Sequence, residues 1–218
     1  MSSHEEHVYA RATGSRRSAA RHPFWRVLHD PAYRTHLLRH LLRQPDPLET
    51  SDRILLERVI FRHYAAAADI QSVLFVGCDW YTRHYGRAYF PSKNYWTLDC
   101  DPRARKFGAR RHLVAPLQAL GAHLPAAYFD LIICNGVYGY GLVSREDCEL
   151  AFAACHRGLR PGGHLILGWD DIAERRPVPL EDIQSLARLG KCPFEPLGTW
   201  RFRTDTPYRH TYDFYRLT

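Results

Sequence analysis

The chain has 218 residues, 45% of them hydrophobic and 24% charged, which suits one α/β domain with an appendage and would be a squeeze for two full domains. No run of about 18 apolar residues could span a bilayer, and Glu5 and Glu6 in a start without an apolar segment fit neither a secretory nor a transit leader, so a soluble, cytoplasmic protein is expected. The net charge of +7, from 30 basic and 23 acidic residues, keeps an anionic substrate or a nucleic acid open as partner. Outside the N-terminal arm, however, the arginines interleave with acids and apolar residues as on an ordinary solvated surface.

Residues 1–22 are polar and basic, with Arg11, Arg16, Arg17 and Arg21 among Ser, Ala and Gly, and read as an arm that cannot order itself alone. Residues 23–69 read as a helical lid. Asp30-Pro31 is an N-cap followed by proline at the first helical position. Tyr33, Leu37 and Leu41 then form an apolar stripe, which Pro45 and Pro47 end. A second helix is predicted over 51–68, with Ile54, Leu55, Val59, Ile60 and Phe61 facing inward.

From residue 70 to 218 the pattern changes to short apolar runs, SVLFVG, NYWTLD, RHLVAP, FDLIICN and GHLILGW, separated by stretches of helical character. Such alternation predicts an α/β fold, a doubly wound and mostly parallel sheet with helices on both faces. Ser144 and Asp147 resemble a capping box opening a helix over 144–159, with Leu150, Ala151, Ala154 and Cys155 inward. Arg160-Pro161-Gly162-Gly163 stops it, a further helix is expected over 180–189, and PLGTWRFRT and HTYDFYRLT read as a C-terminal antiparallel hairpin turning at 205–207. The six cysteines are scattered without a C-x-x-C pair, so buried free thiols are expected, with neither a disulfide framework nor a metal site.

Gly77 in VLFVGC and Asp99 in TLDCDP are 22 residues apart, a spacing suited to a βαβ unit that holds a nucleoside-like cofactor by its ribose. Together with AYFDLIICNGV and LRPGGHLILGW, these segments resemble, in order and spacing, the motifs of class I S-adenosylmethionine-dependent methyltransferases. The resemblance runs from Ser72 to Leu217. It implies a seven-stranded Rossmann-like sheet whose strand ends bind S-adenosylmethionine. Gly77, Cys78 and Asp79 would lie against the cofactor, Asp99 and Cys100 at its ribose, Pro116 and Leu117 by the adenine, and Asn135 and Gly136 beneath the sulfonium. Asn135 before Gly136 is equally an ordinary turn.

The chain departs from that pattern where Phe75 replaces an acid two residues before the glycine and Asp79, Trp80 and Tyr81 replace further glycines. Asp79 is expected to take over the grip on the methionine ammonium. Alternatively, Trp80 and Tyr81 fill the crevice and the chain is a relative without transfer activity. Candidate acceptor and acid–base groups are Tyr81, His84 and Tyr85 after the first strand, Tyr138 and Tyr140 after the fourth, and Trp169, Asp170 and Asp171 after the fifth. His84, Tyr138, Tyr140 and Asp170 lead this set, because aromatics beside Gly139 and Gly141 give a pliable wall with polar tips. Asn135 in place of an acid argues against a magnesium site, and the missing G-x-G-x-x-G argues against a nicotinamide cofactor. In this family a helical lid favours a small-molecule acceptor; RNA or protein methylation is the alternative.

Overall fold

The structure, a computed structural model, describes residues 49–218 and Leu38, so the basic arm and the stripe that starts at Tyr33 lie outside the described residues. The strands are β1 (Ser72–Val76), β2 (Asn94–Asp99), β3 (Arg111–Val114), β4 (Phe129–Asn135), β5 (Leu159–Asp170), β6 (Gly190–Lys191), β7 (Arg201–Arg203) and β8 (His210–Arg216). They lie in the order β3-β2-β1-β4-β5-β8-β6, with β7 also on β8. The first five are parallel, and β8 runs antiparallel to β5, β6 and β7. The expected doubly wound sheet and closing hairpin are present, and the two-residue β6 brings the sheet to eight strands.

Continuous apolar runs form these strands because both sheet faces are covered. Ser51–Leu55, a π-helical turn over Leu56–Ile60 and Phe61–Ala66 run on as one helix, α1. With α2 (Tyr85–Ala88) it covers the face that presents Val73, Phe75, Leu131, Ile133 and Phe214. On the other face α3 (Leu120–His123), α4 (Arg145–Gly158) and α5 (Gln184–Ala187) cover Leu74, Val76, Ile132, Leu165 and Leu167. Phe61 anchors α1 by ring contacts with Phe75, Tyr85 and Phe90 at centroid distances of 6.2, 4.9 and 5.3 Å. Burial of such a side chain contributes roughly 1.5–3 kcal/mol.

The helices differ from the sequence reading in three places: the helix expected over 180–189 is broken at extended Ile183 into a 3₁₀ turn, Leu180–Asp182, and the short α5, and α1 and α4 differ in their inward faces. The π turn inserts a residue into the helical repeat, so α1 buries Leu56, Ile60, Phe61 and Tyr64, while Ile54 is exposed. In α4 Phe152 takes the inward place expected of Leu150, which is 52% exposed. Its cap is also simpler than a capping box: Ser144 Oγ accepts from the Asp147 N–H at 3.1 Å and donates to the Asp147 carboxylate at 2.8 Å. All six cysteines are free, four of them buried, while Cys100 is exposed and Cys192 half-buried.

Burial pushes the His164 imidazole below its ordinary range, and Arg216 adds to the effect. The unfolded chain therefore takes up this proton at higher pH than the folded one, so the contribution is complete above about pH 6.5 and shrinks as pH falls toward the folded value. Denaturant titrations between pH 7.5 and 5.5 should show stability dropping on acidification, with a shallower drop in His164→Gln. Equal slopes would remove His164 from the account.

Candidate active site

Val76 pairs with both Leu98 and Cys134, so Gly77, Asp99 and Asn135 leave the sheet side by side. This is the switch point of a doubly wound sheet, where such folds open a ligand crevice. Gly77 has φ +93°, a left-handed conformation that costs glycine little. Behind it the Cys78 N–H donates to Asp99 Oδ2 at 2.7 Å, and the Asp101 N–H donates to Asp99 Oδ1 at 2.9 Å. The Asp99 carboxylate is thereby fixed in direction.

Asp79 caps the 3₁₀ turn Trp80–Thr82, accepting from the Trp80 N–H at 2.7 Å, while its own N–H donates to Thr82 Oγ1 at 3.1 Å. Asp101 accepts from the Arg103 N–H at 2.8 Å and so caps the next turn ahead of Pro102, as its sequence position implies. Cys78 is buried and Cys100 exposed. At the end of β3, Ala115 is buried and Pro116 exposed, while Leu117 packs into the core shared with α4. Gly136, φ +65°, has no heavy atom within 4 Å of where a Cβ would stand. A directed carboxylate beside two glycine turns fits a cofactor bound through ribose hydroxyls.

Next to these turns lies a line of polar groups drawn from four elements. Tyr140 donates to Asp170 Oδ2, and Asp170 Oδ1 lies 2.7 Å from His210 Nδ1. The Asn135 amide pairs donors with acceptors when Oδ1 faces Arg53, at 3.0 and 3.1 Å, and Nδ2 donates to His210 Nε2 at 3.1 Å. Hydrogen bonds then run one way, from Arg53 to Asn135 to His210 to Asp170, with Tyr140 donating into Asp170 from the far side. Asp170, His210 and Asn135 are 1%, 2% and 4% exposed. Gly168 is required here, since a Cβ on it would stand 1.9 Å from the Asn135 amide and 3.0 Å from His210 Nε2.

Arg53 reaches this line from α1. Its guanidinium lies 4.5 Å from the Tyr81 ring centroid, donates to the Tyr85 and Tyr81 hydroxyls at 3.4 and 3.3 Å, and sits 3.5 Å from Asp52. Tyr212, in turn, donates to the Asp52 carbonyl at 3.0 Å and ties α1 to β8. Neither Arg53 nor His210 stands out in the sequence. The one available signal was an arginine on the apolar side of a lid helix and a histidine opening the last strand.

Two expected site residues belong elsewhere. Tyr138 is fully buried, donates to the Val178 carbonyl and meets Trp169 edge-on at 5.9 Å, so it is a core residue rather than an acceptor wall. His84 lies under α1, 3.7 Å from Glu57 and edge-on to Tyr85, on the α2 face rather than at the acceptor line. Tyr81 and Tyr85 are occupied with Arg53, and Trp169 donates to Asp213 at 3.3 Å. Asp171 is ringed by Arg176, Arg203 and Arg209 at 3.4–3.5 Å. Of the leading candidates, Tyr140 and Asp170 are brought together.

Residues 74–167 match the family model described as a methyltransferase domain. Among solved structures, the N-methyltransferase NodS from Bradyrhizobium japonicum WM9 in complex with S-adenosyl-L-homocysteine is similar at 18% identity and a TM-score of 0.56, over 86% of this chain and 99% of that one. A TehB-like SAM-dependent methyltransferase from Corynebacterium glutamicum is similar at 16% identity and a TM-score of 0.52, over 85% of this chain and 100% of that one. No curated protein sequence gives a match. The match over residues 74–167, the strand order and the motifs at the strand ends together support an S-adenosylmethionine-dependent methyltransferase domain of the class I, Rossmann-like kind.

Proposed function

We propose that the chain methylates an oxygen or nitrogen nucleophile of a small molecule by in-line transfer, with the acceptor seated against Tyr140. The observation that carries this reading is the line from half-buried Tyr140 through buried Asp170, His210 and Asn135 to Arg53, next to the strand ends that carry Asp99 and Gly77. Bound S-adenosylmethionine supplies an electrophilic methyl group, so alignment is the protein's main task, and holding two reactants in attack geometry is worth about 7–11 kcal/mol. Asp99 would accept the ribose hydroxyls, Asp79 the ammonium, and residues 115–117 the adenine edge. Cys78, Cys100 and Gly136 complete the wall of that crevice in this reading.

For a hydroxyl or protonated amine acceptor, Tyr140 Oη takes the acceptor proton as it passes its own to Asp170 Oδ2. His210 and Asn135 hold Asp170 in place during that transfer. A base of this kind adds typically 10²–10⁴-fold. Because NodS is an N-methyltransferase, amines are the first acceptors to assay, followed by phenols. A shallow, basic surface would favour RNA or protein instead, whereas a line of polar groups this deeply buried favours a compact acceptor.

The cofactor half of the reading is tested by titrating S-adenosylhomocysteine calorimetrically. Asp79→Ala should weaken binding about tenfold or more, as expected for a lost hydrogen bond to a charged group, without loss of the cooperative thermal transition. A folded Asp79→Ala chain with parental affinity would return Asp79 to a purely capping role. Release of S-adenosylhomocysteine with a panel of small amines and phenols tests the acceptor half; transfer to RNA or protein alone would overturn it.

A further inference from the structure

The turn that follows β5 stands over Tyr140, the residue at which the line of polar groups ends. The chain leaves β5 at Asp170 and forms a 3₁₀ turn, Ala173–Arg175, that packs against the segment after β4. A Cβ on Gly139, φ +79°, would collide with the Arg175 carbonyl, so the two turns meet backbone to backbone. That contact fixes the place from which Arg175 reaches out. Its guanidinium carbon lies 4.1 Å from the Tyr140 ring centroid, a cation–π contact, while the Tyr140 hydroxyl donates to Asp170.

The charges nearby are unevenly shared. Arg176, Arg203 and Arg209 converge on Asp171 at 3.4–3.5 Å, and Arg201 pairs with Asp213 at 2.6 Å. Half-buried Arg175 differs from them: its recorded partner is the Tyr140 ring, and it forms no ion pair with a described residue, although exposed Glu174 precedes it in the chain. A ring face attracts a guanidinium without accepting its N–H groups in plane, which leaves the fork of donors for an oxyanion.

We infer that Arg175 reads the charge of the acceptor: the small molecule carries a carboxylate, held by Arg175 while its nucleophile meets Tyr140. This assignment rests on the acceptor seat proposed above and narrows its substrate class. One guanidinium without a carboxylate partner calls for one negative charge, and its parallel N–H groups match the two oxygens of a carboxylate. Arg176, Arg203 and Arg209 put three positive charges around the single Asp171, a rim that draws anions inward. A simple cationic amine would meet like charge there. Among amines and phenols, the site therefore selects those that also bear an acid.

Calorimetric titration of the full chain in excess S-adenosylhomocysteine tests the assignment, with 4-hydroxybenzoate as the anionic probe and 4-hydroxybenzyl alcohol as its neutral counterpart. The anion should bind at least about tenfold more tightly, the scale of one charged hydrogen bond. Arg175→Gln should abolish that advantage and leave affinity for the alcohol as it was, whereas Arg175→Lys should recover part of it. Arg176→Gln, at the exposed neighbouring position, should change neither affinity. Equal binding of the two probes by the folded parent would overturn the inference. So would no saturable binding of either, an advantage that survives Arg175→Gln, or equal loss in Arg176→Gln. Release of S-adenosylhomocysteine is read separately. Transfer to both probes with one KM would keep the proposed transfer and overturn the role of Arg175. Binding of 4-hydroxybenzoate that depends on Arg175, without release from any amine or phenol, would overturn the transfer reading and leave the carboxylate site standing.

Discussion

Asp170→Asn is expected to lower turnover by about 10²- to 10⁴-fold, the usual worth of a positioned proton acceptor. Affinity for S-adenosylhomocysteine should remain at the parental value, because Asp170 stands at the end of β5 and the turns proposed to hold the cofactor follow β1, β2, β3 and β4. The substitution keeps the shape of the side chain but gives it one donor, so it can no longer accept from both Tyr140 and His210 Nδ1. Tyr140→Phe provides the second reading, since it leaves the pairing of Asp170 with His210 intact. If both folded variants turn over as fast as the parent, the acceptor line is structural.

Asp99→Ala should weaken S-adenosylhomocysteine binding at least about 10²-fold, given roughly 1.5–3 kcal/mol for each hydrogen bond to a charged group. It should also lower thermal stability, because the Cys78 and Asp101 N–H groups lose their acceptor. Asp101→Ala is the matched control. It removes the cap of the neighbouring turn, worth about 0.5–2 kcal/mol, together with the exposed ion pair to Arg103. Calorimetry on both separates the two roles of Asp99: equal cofactor affinities would leave it as a turn residue.

The sheet was legible because parallel strands covered on both sides keep their whole length apolar, so SVLFVG and FDLIICN could be placed without alignment. The turn at Gly77 was legible for a related reason: the left-handed conformation it adopts is a local demand that glycine meets at little cost. The inward face of α1 was not, because a π turn changes the periodicity on which such readings depend. Leu150 misled through composition alone, since its place in α4 faces solvent. Arg53 and His210 were hidden for a deeper reason. Their meaning lies in one buried amide, Asn135, reached from two distant segments, and no local pattern encodes that meeting.

On the function proposed above, the same meeting also sets the time at which the protein becomes an enzyme. The acceptor line takes Arg53 from α1, Asn135 from the end of β4, Asp170 from β5 and His210 from β8, and the Tyr212–Asp52 bond that closes it spans 160 positions. Contacts this far apart in sequence form late, after loop-closure entropy has been overcome. A nascent chain emerging from the ribosome can assemble β1, β2 and the turn around Gly77 early, and so present a cofactor cradle before it has an acceptor chamber. On the function proposed above, competence for transfer arrives only when β8 takes its place between β5 and β6.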